Sequence, residues 1–150
     1  MNVRKSLGSD HRAIERRLTD LTDAVEGADF RTILIVFREV DRGLRAHIDG
    51  EERYLFGHFE QDHPEVIGEL REDHERFRRA LDELMIQTEL HTLRKEPIDA
   101  LVAELRAHAT KENVTLYAWA DESPLEEPRN GLYDFLEERR MSLRSSGPDE

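Results

Sequence analysis

The 150-residue chain contains no cysteine. Disulfides, thiolate-bound zinc and cysteine nucleophiles are thereby excluded, which leaves imidazole and carboxylate as the strong metal ligands. No apolar run approaches the roughly 18 residues that a membrane span needs. Met1 to Ser9 carries charge and nothing like the apolar stretch of a secretory leader, so a cytoplasmic protein without membrane contact is expected. Positive charge is outweighed, with 34 Asp and Glu against 22 Lys and Arg. The formal charge of −12 would repel a phosphate backbone, so nucleic acid is not an expected partner. Sustained strand-like alternation is missing too.

What is present is helical periodicity, in a chain of one domain's length. Leu7, His11, Ile14, Leu18, Leu21 and Val25 advance in steps of three and four along a first helix that begins at about Asn2 or Ser9 and ends at Glu26, before Gly27. Asp29 is placed to cap a second, with the stripe Ile33, Phe37, Val40, Leu44, His47, Glu51, Tyr54 and His58. Gln61 to Pro64 reads as a turn, and a third helix carries Ile67, Leu70, His74, Phe77, Leu81 and Leu84. Pro97 opens a fourth, with Ile98, Leu101, Leu105, His108, Glu112, Thr115 and Trp119. Short connections favour antiparallel neighbours, so the fold expected is all-α: an up-down-up-down four-helix bundle over 1–121. For 122–150 the reading is a linker, SPLEEPRNG, then a short extra C-terminal helix through Leu132, Phe135, Leu136 and Met141, and a flexible tail from Arg144. That helix caps the bundle's flank or, alternatively, makes a dimer contact; the chain is expected to be a monomer or weak dimer.

The chemistry concentrates in the stripes. Within AHIDGEERYLF, His47 and Glu51 stand four apart, a spacing that stacks both side chains on one helix face. One residue in seven is Glu and there are seven histidines, so about one such pair arises by chance. Here the pair recurs at His108 and Glu112, and a single histidine precedes each at matching distance, His11 and His74. All six residues take places that the stripes would otherwise give to Leu or Ile. A buried unpaired carboxylate costs several kcal/mol, and no Lys or Arg falls in the same seams near that level; a pair of cations would neutralise both glutamates. Counted at 1.5 Å per residue from the expected helix ends, His47, His74 and His108 share one depth within about 3 Å, and His11 joins them if its helix begins near Asn2. Imidazole and carboxylate without thiolate suit iron, manganese or zinc, with iron preferred. Six ligands shared by two ions leave room for a bridging oxygen and an open position.

At these residues the sequence resembles the hemerythrin-like, HHE cation-binding family: DHRAIERRL at His11, HIDGEERYLF at His47 and Glu51, EDHERFRRAL at His74, and HATKENVTLYAWAD at His108 and Glu112. The resemblance spans about residues 1–121. It implies a four-helix bundle around two iron ions with a bridging oxo or hydroxo group, Glu51 and Glu112 as bridges and the four histidines as terminal ligands. Oxygen carriers of the family bear a second histidine four residues after the one in helix three, where this chain has Arg78, and a Pro where it has Gly57. That departure points away from reversible oxygen carriage. With one imidazole fewer, Tyr54, a turn beyond Glu51, is the candidate to donate to a bridging oxygen or to ligate. The function expected is reaction with, or binding of, peroxide or dioxygen, including catalase-like peroxide decomposition, by analogy with family members of reduced ligand set. The alternative is an iron-, oxygen- or nitric-oxide-sensing module without turnover.

Other polar residues have plainer readings. Glu15 sits on an exposed face, and Glu52, next to Glu51, should point away. His58, Asp62 and His63 read as turn polarity and His91 as an exposed connection. Phe77, Leu116 and Trp119 read as core or pocket lining.

Overall fold

The computed structural model describes residues 2–123 and 126–145. Helix α1, Val3–Glu26, starts under two acceptors: the Asn2 side chain takes the Lys5 amide at 2.8 Å, and the Asp121 carboxylate takes the Val3 amide at 2.6 Å and that of Arg4 at 3.2 Å. Its apolar stripe, Leu7, Ile14, Leu18 and Leu21, is buried. Ala28, with φ of 52°, turns the chain into α2, Phe30–Glu51. Asp29 caps it as expected, accepting from the Thr32 amide at 3.2 Å and hydroxyl at 2.7 Å. Helix α3, Pro64–Glu89, begins on proline and buries Ile67, Leu70, His74, Phe77, Leu81 and Leu84. Helix α4, Lys95–Val114, starts two residues ahead of Pro97 and buries Ile98, Leu101, His108 and Glu112. α1 packs on α2 and α4, and α3 on the same two, which closes an all-α up-down-up-down bundle.

Two departures from regular helix matter for the site. After Glu51 the chain runs through one π turn, Glu52–Phe56, and a last α turn, Gly57–Phe59. A π turn spends one residue more than the α period, so the face behind Glu51 is reached one place later. Leu55, Phe56 and Phe59 are buried there, not the Tyr54 and His58 of the expected stripe; His58 is exposed. The second break is at Thr115, with φ −118° and ψ −91°, where α4 stops and a separate short helix, α5, Leu116–Glu122, begins. Thr115 and Trp119 are accordingly only half-buried, while Leu116, Tyr117 and Ala120 face inward.

The chain end also differs from expectation. Helix α6, Glu126–Ser145, is 20 residues long and includes most of the stretch read as a loop. Pro128 is its third residue, among the first-turn positions whose amides lack helical partners. Leu132, Phe135 and Leu136 are buried against α2, as the flank-capping reading required. Contact is close because of two glycines: a Cβ at Gly50 would lie 3.0 Å from Leu132 Cδ1, and one at Gly131 would lie 2.8 Å from the Tyr54 ring. The backbone stays helical at Arg144 and Ser145; the Met141 side chain and the tail 146–150 fall outside the described residues.

Apolar side chains form two clusters. One, from Ile14, Phe37, Leu44, Phe77 and Leu101, fills the end near the α1–α2 turn. The other, from Leu7, Leu55, Phe56, Leu70, Leu116 and Leu132, fills the opposite end and meets α6. Between them lies a polar layer.

Candidate metal centre

All six residues singled out for metal meet in that layer. Glu51, His74 and Glu112 are fully buried, His47 and His108 nearly so, and the His11 side chain is 17% exposed. The two carboxylates sit centrally, each oxygen turned to a different side. Glu51 sets Oε2 3.1 Å from His47 Nε2 and Oε1 3.1 Å from His74 Nε2. Glu112 sets Oε1 3.3 Å from His11 Nε2 and Oε2 3.0 Å from His108 Nε2. Two four-residue pockets result: His11, His47, Glu51 and Glu112 on one side (site A), and His74, His108, Glu51 and Glu112 on the other (site B). In each, one ligand atom per residue lies within 4.8 Å of all the others.

The donor atoms fit cations. Glu51 Oε1, Glu112 Oε2, His74 Nε2 and His108 Nε2 are buried without a hydrogen-bond partner. All four line site B, where each would cost about 1–3 kcal/mol if nothing met it, whereas the corresponding site A atoms surround the Tyr117 hydroxyl. Ligands spaced about 3 Å apart suit neighbouring positions on an ion whose bonds to nitrogen and oxygen are roughly 2.0–2.2 Å.

Without metal, protons take the cations' part. Burial opposes charging His47, but Glu51 and Asp10 outweigh it and raise its pKa to about 10. For His74, burial is again outweighed, here by Glu112, Glu51 and Glu52, and the value is about 11. His108 is raised against its burial by Glu112 and Asp73. Glu112, though buried, is held well below the usual range by His108 and its other neighbours.

The ring nitrogens facing outward have partners of their own. His74 donates from Nδ1 to Glu52 Oε2 at 2.7 Å, and His108 from Nδ1 to Asp73 Oδ2 at 2.7 Å. His47 Nδ1 lies 3.5 Å from Asp10 Oδ2. A proton donated from Nδ1 fixes the ring with Nε2 facing the layer, the nitrogen that is bared for ligation when its own proton leaves. Glu52 therefore does not point away; its pKa falls, despite burial, to about 2 under His74 and Arg78. Phe56, brought inward by the π turn, stacks on His74 at 5.0 Å, and Phe77 meets His108 edge-on at 5.0 Å.

The phenol at the site is Tyr117, not Tyr54. Tyr54 is half-buried against Phe135, ring centroids 5.7 Å apart, on the side facing α6. The Tyr117 hydroxyl is fully buried in site A, 2.9 Å from Glu112 Oε1, 3.2 Å from His11 Nε2, 3.3 Å from His47 Nε2, and hydrogen-bonded to Glu51 Oε2. Burial and the two glutamates hold its proton well beyond the usual pKa. His91 is exposed, as read, whereas Glu15 is half-buried, pairs with Arg106 and lines a small cavity beside His11, His47 and His108. His63 stacks on Trp119 at 3.7 Å, outside the metal layer.

Neither a comparison with curated proteins nor one with solved structures returned a match. The family model for the hemerythrin HHE cation binding domain matches residues 3–120, the span that contains every ligand candidate and Tyr117. Sequence span, bundle and paired histidine–glutamate pockets agree, and the chain belongs to the hemerythrin HHE cation-binding family.

Proposed function

We propose that the chain holds two iron ions, in preference to manganese or zinc, and uses them on a small oxidant, peroxide or dioxygen, in catalase-like fashion. The observation that carries this is the sharing of Glu51 and Glu112 between two four-ligand pockets, which is what two adjacent ions require. When bound, such a pair would supply two-electron redox chemistry, by which one peroxide with two protons would be reduced to two waters and a second, oxidised to dioxygen, would return the two electrons and two protons.

The chain's own residues provide the rest. His11 and His47 on one side, and His74 and His108 on the other, would hold the ions, and the two glutamates, common to both pockets, would serve each. A cavity of about 20 Å³, lined by Ile14, Leu44, Phe77 and Leu105 beside His11, His47 and His108, reaches the layer. One water needs roughly 10–15 Å³, so the cavity has room for a small molecule of the size of dioxygen or peroxide. Within site A the Tyr117 hydroxyl, hydrogen-bonded to both carboxylates, is the side-chain group that would give a proton.

Sensing without turnover is the second reading, with oxygen, nitric oxide or iron as the signal. It is favoured by the contact of Gly50, next to ligand Glu51, with Leu132 of α6, through which a change at the metals would reach the outer helix. Metal analysis, absorption spectroscopy and an oxygen electrode separate the readings. Two irons per chain, near-ultraviolet bands of an oxo-bridged ferric pair, and oxygen evolved from peroxide but not by Glu51→Ala support the enzyme. An iron-loaded chain that leaves peroxide untouched while its stability or self-association responds to oxygen or nitric oxide supports the sensor. A chain that takes up no metal refutes both.

A further inference from the structure

The two pockets share their carboxylates but not their surroundings. In site B both imidazoles are held from behind by carboxylates that are themselves held. Glu52, on His74, is gripped bidentately by Arg78, with Nη1 to Oε2 at 3.0 Å and Nη2 to Oε1 at 2.9 Å. Arg78 is anchored in turn by Asp49 at 2.7 Å and Glu75 at 2.9 Å. Asp73, on His108, receives Lys111 Nζ at 3.0 Å and Arg76 Nη2 at 2.5 Å. In site A the corresponding contact to the imidazole is longer. Asp10 stands 3.5 Å from His47 Nδ1, too far for a strong hydrogen bond, and His11 is the most exposed of the four histidines. Arg78, where the oxygen carriers have an extra ligand, thus has a different task here.

Resting on the two-metal reading above, we propose that the positions are unequal. Site B fills first and keeps its ion, site A is the exchangeable position, and Arg78–Glu52 and Lys111–Asp73 are the positioning pairs that set the difference. A carboxylate behind a ligating histidine fixes ring and tautomer and raises ligand basicity, and losing it typically costs 10–100-fold in metal affinity. Site B has two such partners at 2.7 Å; the contact at His47 is long enough to forfeit most of that gain. The guanidinium fork and Lys111 also fix both site B carboxylates before an ion arrives.

The test is titration of the metal-free full chain with Co²⁺, followed by calorimetry and by the visible spectrum of the bound ion. Two steps are expected, the first about tenfold or more tighter than the second. His11→Ala should remove only the weaker step, and His108→Ala the tighter. Glu52→Gln and Asp73→Asn should each weaken the first step by about 10–100-fold, while Asp10→Asn moves the second by less than about tenfold. Arg78→Gln should weaken the first step and Arg78→Lys restore part of it, a graded response that loss of fold would not give. Should Asp73→Asn not fold, Glu52→Gln alone decides. Loss of the tight step in His11→Ala, or two equal steps untouched by Glu52→Gln, overturns the inference while leaving two metals in place. A chain that binds no Co²⁺ and no iron sinks the two-metal reading and this inference with it.

Discussion

Metal uptake must expel protons, and the number expelled tests the electrostatics of the site. In the metal-free protein His47 keeps its proton to about pH 10, His74 to about pH 11, and His108 is raised as well. Nε2 of each must be bare to bind an ion. Consider loading at pH 8.5. A group with a pKa of 10 is about 97% protonated there and one of 11 more than 99%, so His47 and His74 alone release about two protons. Four ordinary imidazoles of pKa 6.5 would together release about 0.04. Calorimetry with Zn²⁺ at pH 8.5, in two buffers of different ionisation enthalpy, counts the protons without redox side reactions. Release of fewer than about one proton per chain would refute the reasoning, because the buried glutamates would then be neutralised in some other way. The same shifts fix the stability profile. Histidines whose folded pKa is raised stabilise fully below their unfolded value of 6.5 and lose that contribution as pH rises through 10 to 11. Glu52, with its folded pKa lowered to about 2, stabilises above 4.5 and loses its contribution as pH falls towards 2. The metal-free protein should therefore be most stable between about pH 4.5 and 6.5, which chemical denaturation across pH would show.

Tyr117→Phe removes the one phenol proton at the site and should cost on the order of 10²-fold in peroxide turnover at equal metal content, whereas Tyr54→Phe should leave turnover unchanged. The opposite ranking on an oxygen electrode would restore Tyr54 to the site. Gly131→Ala drives a Cβ into the Tyr54 ring at 2.8 Å, an overpacking worth about 1–3 kcal/mol, and thermal melts should fall by roughly 2–12 °C. No change would mean that α6 is held loosely. Phe77→Ala empties a fully buried ring that touches His108 and should cost about 3–5 kcal/mol, read as a drop in denaturant midpoint.

How much of this was legible beforehand follows from where the chain keeps the 3.6-residue period. Four helices, most of their core residues and all six clustered donors lie on uninterrupted α-helix, where His-xxx-Glu spacing means one face. Tyr54 and His58 were misplaced because the π turn adds a residue that no periodic stripe anticipates. Tyr117 escaped for a like reason: it is five residues after Glu112, off the α period, and reaches the site only because the helix breaks at Thr115. Asp10 and Asp73 had a signal available, since Asp directly precedes the single histidine in both halves. Each serves the histidine of its own half's His-xxx-Glu pair, an arrangement that spacing within one helix does not reveal. At the chain end, Pro128 and Gly131 read as breakers, yet proline is tolerated in a first turn and glycine makes room for a ring.

The surplus residue between Glu51 and Leu55 has a wider meaning for the chain. Strike out one position there and Leu55, Phe56 and Phe59 would fall back into ordinary α register behind Glu51, so the greasy contacts beyond the turn do not need the insertion. What the insertion displaces from the seam is Tyr54, on which the final helix rests, while Glu52, at the start of the turn, braces an imidazole from outside. A single added amino acid thus gives one helix two audiences, the ions on its inner side and a sixth helix on its outer.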